Sequence, residues 1–211
     1  MANTTAPTGI NGLREIRRSP ASHLAEALET GSVPGKVVLK EGPFQTMAGV
    51  RVDPSSEEGA RIGSVTGGLP VRCGEVAGRE GVSVLWLGPS EFLVVAPEEA
   101  HDSLGGDLIG SLTSALGDAP GQVVDLSANR TTYELSGPRA RAVLEKGCAL
   151  DLHPREFRAG TALSTEVGNI PVTLWKTGEE SFRLFPRASF ADFLGRWLLD
   201  AMREYASPEV P

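Results

Sequence analysis

The chain has 211 residues, of which 40% are hydrophobic and 22% charged, and its 20 Lys and Arg against 27 Asp and Glu give a formal net charge of −7. That length buries a core as one large domain or two small ones, and an acidic balance without a basic stripe argues against nucleic-acid binding. No apolar run is long enough to span a membrane, no hydrophobic leader opens the chain, and the two cysteines, Cys73 and Cys148, have no metal or redox spacing; a cytoplasmic protein with two buried, reduced thiols is expected.

Residues 1–18 are polar and read as a flexible arm. Arg14, Arg17 and Arg18 near its end form a solvated tail or, alternatively, a grip for an acidic partner. Ser19-Pro20 has the form of a helix start, with Ser as N-cap and Pro in the first turn, and Gly31 is the expected stop. Short strands are predicted at 37–39 and 50–52, then a helix over 56–65 closed by Gly67-Gly68. Gly74, Gly78 and Gly81 do not have the spacing of a dinucleotide-binding turn, and a strand over 82–87 follows them rather than a helix. Leu104, Leu108, Ile109, Leu112 and Leu116 form one stripe and predict a helix over 103–116. The breaker cluster 117–121 then divides a first α+β lobe, 19–117, from a second, 121–206.

In the second lobe, strands are predicted at 122–126 and 131–135, a helix from Gly137-Pro138 to Lys146, and strands at 161–167, 170–174 and 181–185. The last helix has the shape of a capping box, Ser189 with Asp192 three residues on, and an apolar face of Phe190, Phe193, Leu194, Trp197, Leu198, Met202 and Tyr205. Helices on one face of an antiparallel sheet make this lobe a ferredoxin-like sandwich. Residues 84–116 and 173–205 also read as one unit used twice: hairpin, proline, helix, at an offset of 89 or 90, with Trp86 matched to Trp175. The fold class is α+β, two lobes of antiparallel sheet with packed helices.

Sequence motifs for chemistry are missing. His23, His101 and His153 are scattered, and there is no HExxH, no GxSxG and no phosphate-binding loop. No catalytic residue and no metal ligand is assigned. One polar run stands out, Asp125-Leu126-Ser127-Ala128-Asn129-Arg130 between two apolar strands. Asp125 and Ser127 are expected to bond the loop's own backbone, with Arg130 pairing a carboxylate. The alternative is a small cofactor or anion site in which Asp125 and Ser127 line a pocket and Arg130 clamps the ligand.

Several of these segments resemble the gamma subunit of heterotetrameric sarcosine oxidase. They are Trp86-Leu87-Gly88-Pro89-Ser90-Glu91-Phe92, Val124 through Thr131, Leu135-Ser136-Gly137-Pro138-Arg139-Ala140 through Gly147-Cys148-Ala149-Leu150-Asp151-Leu152-His153-Pro154, and the ending Arg187 through Leu194 with Trp197-Leu198-Leu199. Phe92 stands where that family usually has a second Trp. The resemblance implies a partial aminomethyltransferase-like fold and a noncatalytic partner of alpha, beta and delta subunits. It further implies that FAD, FMN, NAD, tetrahydrofolate and zinc belong to those other subunits. The activity implied for the complex is oxidative demethylation of sarcosine to glycine, with hydrogen peroxide formed and the one-carbon unit passed to tetrahydrofolate. A stand-alone folate- or anion-binding module, or a small aminomethyltransferase-like protein, is the alternative.

Overall fold

The computed structural model describes residues 16–206. Its strands are β1 (Val38–Glu41), β2 (Thr46–Arg51), β3 (Val76–Arg79), β4 (Val82–Gly88), β5 (Glu91–Ala96), β6 (Gln122–Asp125), β7 (Tyr133–Ser136), β8 (Ala162–Val167), β9 (Ile170–Gly178) and β10 (Ser181–Pro186). The α-helices among these residues are α1 (Ala25–Thr30), α2 (Glu57–Thr66), α3 (Leu108–Leu116), α4 (Ala140–Glu145) and α5 (Ala191–Ala206). Two five-stranded antiparallel sheets result, ordered β3-β4-β5-β2-β6 and β1-β7-β10-β9-β8. The class is α+β.

The two sheets are built alike. From β1 to α3 the chain runs strand, strand, helix, three strands, helix, and the same order recurs from β6 to α5. In each sheet, three consecutive strands of one half are followed by the second strand of that half. The outermost place goes to the first strand of the other half: β6 pairs β2, and β1 pairs β7. The halves therefore exchange edge strands. The breaker cluster at 117–121 lies between α3 and β6, yet each sheet takes a strand from across it. The strand predicted at the start of the second lobe completes the first sheet.

Side chains alternate between two environments, as the pleat requires. Val84, Phe92, Val94, Ala48 and Val50 face Ile62 of α2 and Leu108, Leu112 and Leu116 of α3. Tyr133, Leu135, Val172, Leu174, Phe182 and Leu184 face Leu24, just before α1, and α1, α4 and α5 through Leu28, Val143, Leu144, Leu194, Leu198 and Met202. The other faces meet each other: Met47, Leu85, Leu93 and Val95 of the first sheet pack with Ala162, Phe185 and Trp175 of the second. The layers run helix, sheet, sheet, helix. Strand β5 is buried on both faces, which explains its unbroken apolar run Phe92-Leu93-Val94-Val95-Ala96.

The hairpin repeat is real, and its register differs from the one predicted. Trp86 pairs with Phe92 and Gly88 with Glu91; Lys176 pairs with Phe182 and Gly178 with Ser181, each 90 residues on. Both hairpins carry an irregularity before the turn, between Trp86 and Gly88 and between Lys176 and Gly178, and neither turn is longer than the other. Trp86 is thus equivalent to Lys176, not to Trp175. A one-residue slip turns a strand residue to the opposite face: Trp86 lies against the helices, whereas Trp175 lies between the sheets.

Local signals were met unevenly. Ser56 caps α2, its hydroxyl accepting from Gly59 N–H at 3.0 Å, and Gly67 ends it in the left-handed region. Ser19 does not cap the first helix; its hydroxyl donates to Glu41 Oε2 at 2.6 Å, and a 3-10 turn at Ser22–Leu24 leads into α1. The helix predicted over 103–116 is a 3-10 turn, Asp102–Leu104, then α3, because the chain doubles back at Gly105-Gly106. A Cβ on Gly106 would lie 2.3 Å from the Ala100 backbone. Asp102 then receives the N–H groups of Ile109 and Gly110 at 3.1 and 2.8 Å and serves the α3 N-terminus from outside. Ser189 sits inside a 3-10 turn, Ala188–Phe190, and Asp192 accepts from Arg196, so no capping box forms. Strand β3, inside the Gly-rich stretch, was not foreseen. Phe193 is 51% exposed rather than part of the helix face. Cys73 is exposed and Cys148 partly buried, and both are free thiols, which corrects the expectation of two buried ones. Of the predicted arm, residues 1–15 lie outside the described residues; Arg17 is held by Glu98 at 2.6 Å and lies over the Phe44 ring.

Candidate functional site at the loop between β6 and β7

The loop from Asp125 to Arg130 joins the edge strand of the first sheet to the second sheet, and its polar groups are used on both sides. Leu126 N–H donates to the Met47 carbonyl at 2.8 Å, and Ser127 Oγ accepts from Met47 N–H at 3.0 Å, which fastens the loop to β2. Asn129 carbonyl receives Ala188 N–H at 2.8 Å, and Thr131 N–H donates to Pro186, which fastens it to the exit of β10. Glu41 gathers the hydroxyls of Ser19 and Thr131, both at 2.6 Å, with Ala21 N–H at 3.1 Å.

Asp125 accepts from Ser127 N–H at 2.9 Å through Oδ1 and meets His101 Nε2 at 2.9 Å through Oδ2. Burial pushes its carboxyl up, but the Ser127 and His101 hydrogen bonds prevail and hold it below the ordinary carboxylate value. Asp125 and Ser127 therefore bond backbone, within the loop and on β2. Arg130 pairs no carboxylate among the described residues. Its Nη1 donates to the Phe185 carbonyl at 2.8 Å, and its buried Nε has no partner. Burial, then the nearby Arg187 charge, press its pKa downward, with Glu91 opposing.

His101 is a partner of this loop that the sequence alone does not indicate. Its Nδ1 accepts from Ser103 N–H at 3.1 Å, so Nε2 carries the proton that goes to Asp125. Ser103 Oγ also lies 2.7 Å from Nδ1. Serine, histidine, carboxylate is the order of a nucleophile relay. Here, however, the nitrogen that would take the serine proton already accepts the backbone N–H two residues on, and the ring caps the Asp102–Leu104 turn. Nothing in the spacing of His101 and Asp125, 24 residues apart, announces this contact. Arg17, Arg18, Phe44, His101, Asp125 and Arg130 line a cleft of about 380 Å³.

The Gly-rich stretch does not form a dinucleotide site. Gly78 and Gly81 serve the β3–β4 hairpin, Gly74 precedes it and accepts from Ala162 N–H, and a Cβ on Gly78 would lie 2.1 Å from the Val82 carbonyl. A dinucleotide needs its glycines at a strand-to-helix turn. Among the described residues no three His, Cys, Asp or Glu side chains converge as metal ligands, and no helix is long and apolar enough to cross a membrane.

The fold is a duplicated α+β sandwich of two five-stranded antiparallel sheets, joined by a polar loop between β6 and β7. Residues 52–204 match the family described as sarcosine oxidase, gamma subunit family. The chain belongs to that family. It is 54% identical over 197 residues to the sarcosine oxidase subunit gamma of an Arthrobacter species, covering 92% of this chain and 94% of that one. A Corynebacterium strain P-1 protein of the same description is 53% identical over equal shares. Among solved structures, a chain of the heterotetrameric sarcosine oxidase of Corynebacterium sp. U-96 aligns with a TM-score of 0.87 at 50% identity, over 93% of this chain and 100% of that one. The glycine cleavage aminomethyltransferase T of Bartonella henselae aligns with a TM-score of 0.63 at 16% identity, over 87% of this chain and 57% of that one, so the fold corresponds to part of an aminomethyltransferase.

Proposed function

We propose that this chain is the noncatalytic gamma subunit of a cytoplasmic sarcosine oxidase, associating with alpha, beta and delta subunits and contributing surface and stability, chiefly against alpha. In this reading the complex oxidatively demethylates sarcosine to glycine, forms hydrogen peroxide, and passes the one-carbon unit to tetrahydrofolate. FAD, FMN, NAD, folate and zinc are held by the other subunits. The observation that carries the reading is the correspondence, at 50% identity over 93% of this chain, with a chain of a heterotetrameric sarcosine oxidase. The use of Asp125 and Ser127 in joining backbone agrees with it. The second reading, a folate- or anion-binding module built on Asp125, Ser127 and Arg130, is favoured by the orphaned Arg130 Nε.

Flavin absorbance, zinc content and sarcosine-dependent peroxide, measured for the isolated chain and for the assembly with the other subunits, test the proposal. The isolated chain is expected to be colourless, zinc-free and inactive, and a folate analogue should leave its melting temperature unchanged. Peroxide from the isolated chain, or a folate-dependent rise in melting temperature, would refute it.

A further inference from the structure

We propose that the cleft between segment 17–20 and loop 125–130 receives an acidic side chain of another subunit, which completes the charge pairing that Arg130 and Arg18 lack among the described residues. The inference rests on the reading of the chain as an oxidase subunit.

Arg130 is the reason. Arg130 is half-buried and its Nε fully so, and a partly desolvated cation is normally paired because its lost hydration is costly otherwise. Arg130 has one carbonyl acceptor, Phe185 at 2.8 Å, a buried Nε with none, and no ion pair among the described residues. Its β-bridge partner Arg187 adds a second positive charge rather than a counter-charge. Arg18 lines the same cleft, is exposed, and forms no ion pair among the described residues. The carboxylates close by are engaged elsewhere. Asp125 is held by Ser127 and His101, and Glu98 binds Arg17. Glu91 binds Arg51 at 3.0 Å. On a chain of net charge −7, this is a local positive excess.

A carboxylate suits it, since the planar guanidinium fork can donate two parallel hydrogen bonds to one. The surroundings suit a protein donor rather than a dissolved ion. Ile16, 59% exposed, precedes Arg17 in the chain, and Val124, 36% exposed, lines a second depression that also includes Arg130. Arginine among exposed apolar side chains is the composition of an interface centre. An acidic side chain brought in by an interface arrives with that interface's other contacts, whereas a free anion relies on the cleft alone.

The test uses the assembled complex. The affinity of wild-type chain, Arg18→Ala and Arg130→Gln for the remaining subunits is measured across a salt series, with the melting temperature of each isolated chain as a folding control. Each variant is expected to bind about tenfold more weakly or worse and to show a flatter salt dependence. If Arg130→Gln unfolds, Arg18→Ala decides alone, because an exposed, unpaired side chain is dispensable for folding. Unchanged affinity and salt slope would overturn the proposal. So would citrate raising the melting temperature of the isolated chain while both variants assemble normally, which would assign the cleft to a small anion. Failure of the wild-type chain to associate at all would instead sink the subunit reading, and this inference with it.

Discussion

Lys176 holds, in the second hairpin, the place that Trp86 holds in the first. Each pairs across its hairpin with a phenylalanine, Phe182 and Phe92. Lys176 is 1% exposed, and its Nζ donates to the Phe157 carbonyl at 3.1 Å, with Glu179 at 3.9 Å. The alkyl stem fills apolar space while the ammonium ties down the loop before β8. Lys176→Ala should therefore cost roughly 2–4 kcal/mol, as for other large-to-small core changes. Lys176→Met keeps the volume and removes the buried charge, so it should cost less than half as much. Denaturant midpoints decide; equal losses for the two would show that the ammonium, not the stem, matters.

Trp197 is half-buried over two glycines. A Cβ on Gly147 would come 2.5 Å from the indole, and one on Gly168, at φ 58, would come 2.8 Å from it. Trp197→Ala is expected to cost about 2–3 kcal/mol, less than for a fully buried Trp. Gly168→Ala adds backbone strain to a clash, and much of the clash should vanish in the double variant. Additive losses in the double variant would mean that indole and glycine do not constrain each other.

The His101–Asp125 clasp gives a pH dependence. Asp125 has a folded pKa below the ordinary 3.8, so its contribution to stability is present above that value and is lost as pH falls through the lower folded value. The melting-temperature gap between wild type and Asp125→Asn should be constant above the ordinary carboxylate range and narrow on acidification below it. A gap that widens toward acid would reverse the sign of the argument.

Element type was legible where pattern and packing agree. The α3 stripe, the β9–β10 hairpin and the Ser56 and Gly67 ends of α2 depend on neighbours in sequence. What escaped depends on distant partners. Glu41 draws the Ser19 hydroxyl away from a cap, and the edge-strand exchange requires knowing that β1 passes over to β7. The slip that matched Trp86 to Trp175 arose because adjacent strand residues are alike in hydrophobicity yet face opposite sides. At the site, the role of Asp125 followed from turn chemistry, whereas the Ser127 hydroxyl bonds Met47 of β2 rather than its own loop. The role of Arg130 did not follow either, because a missing partner leaves no mark in a sequence.

The central claim is that this chain acts as a subunit, and its stoichiometry in the assembly tests that most directly. Native mass spectrometry of the complex formed with the alpha, beta and delta subunits should show one copy of this chain in each assembly that carries flavin. An assembly that forms, binds its flavins and oxidises sarcosine at full rate with this chain left out, and that never incorporates it when it is supplied, would contradict the claim.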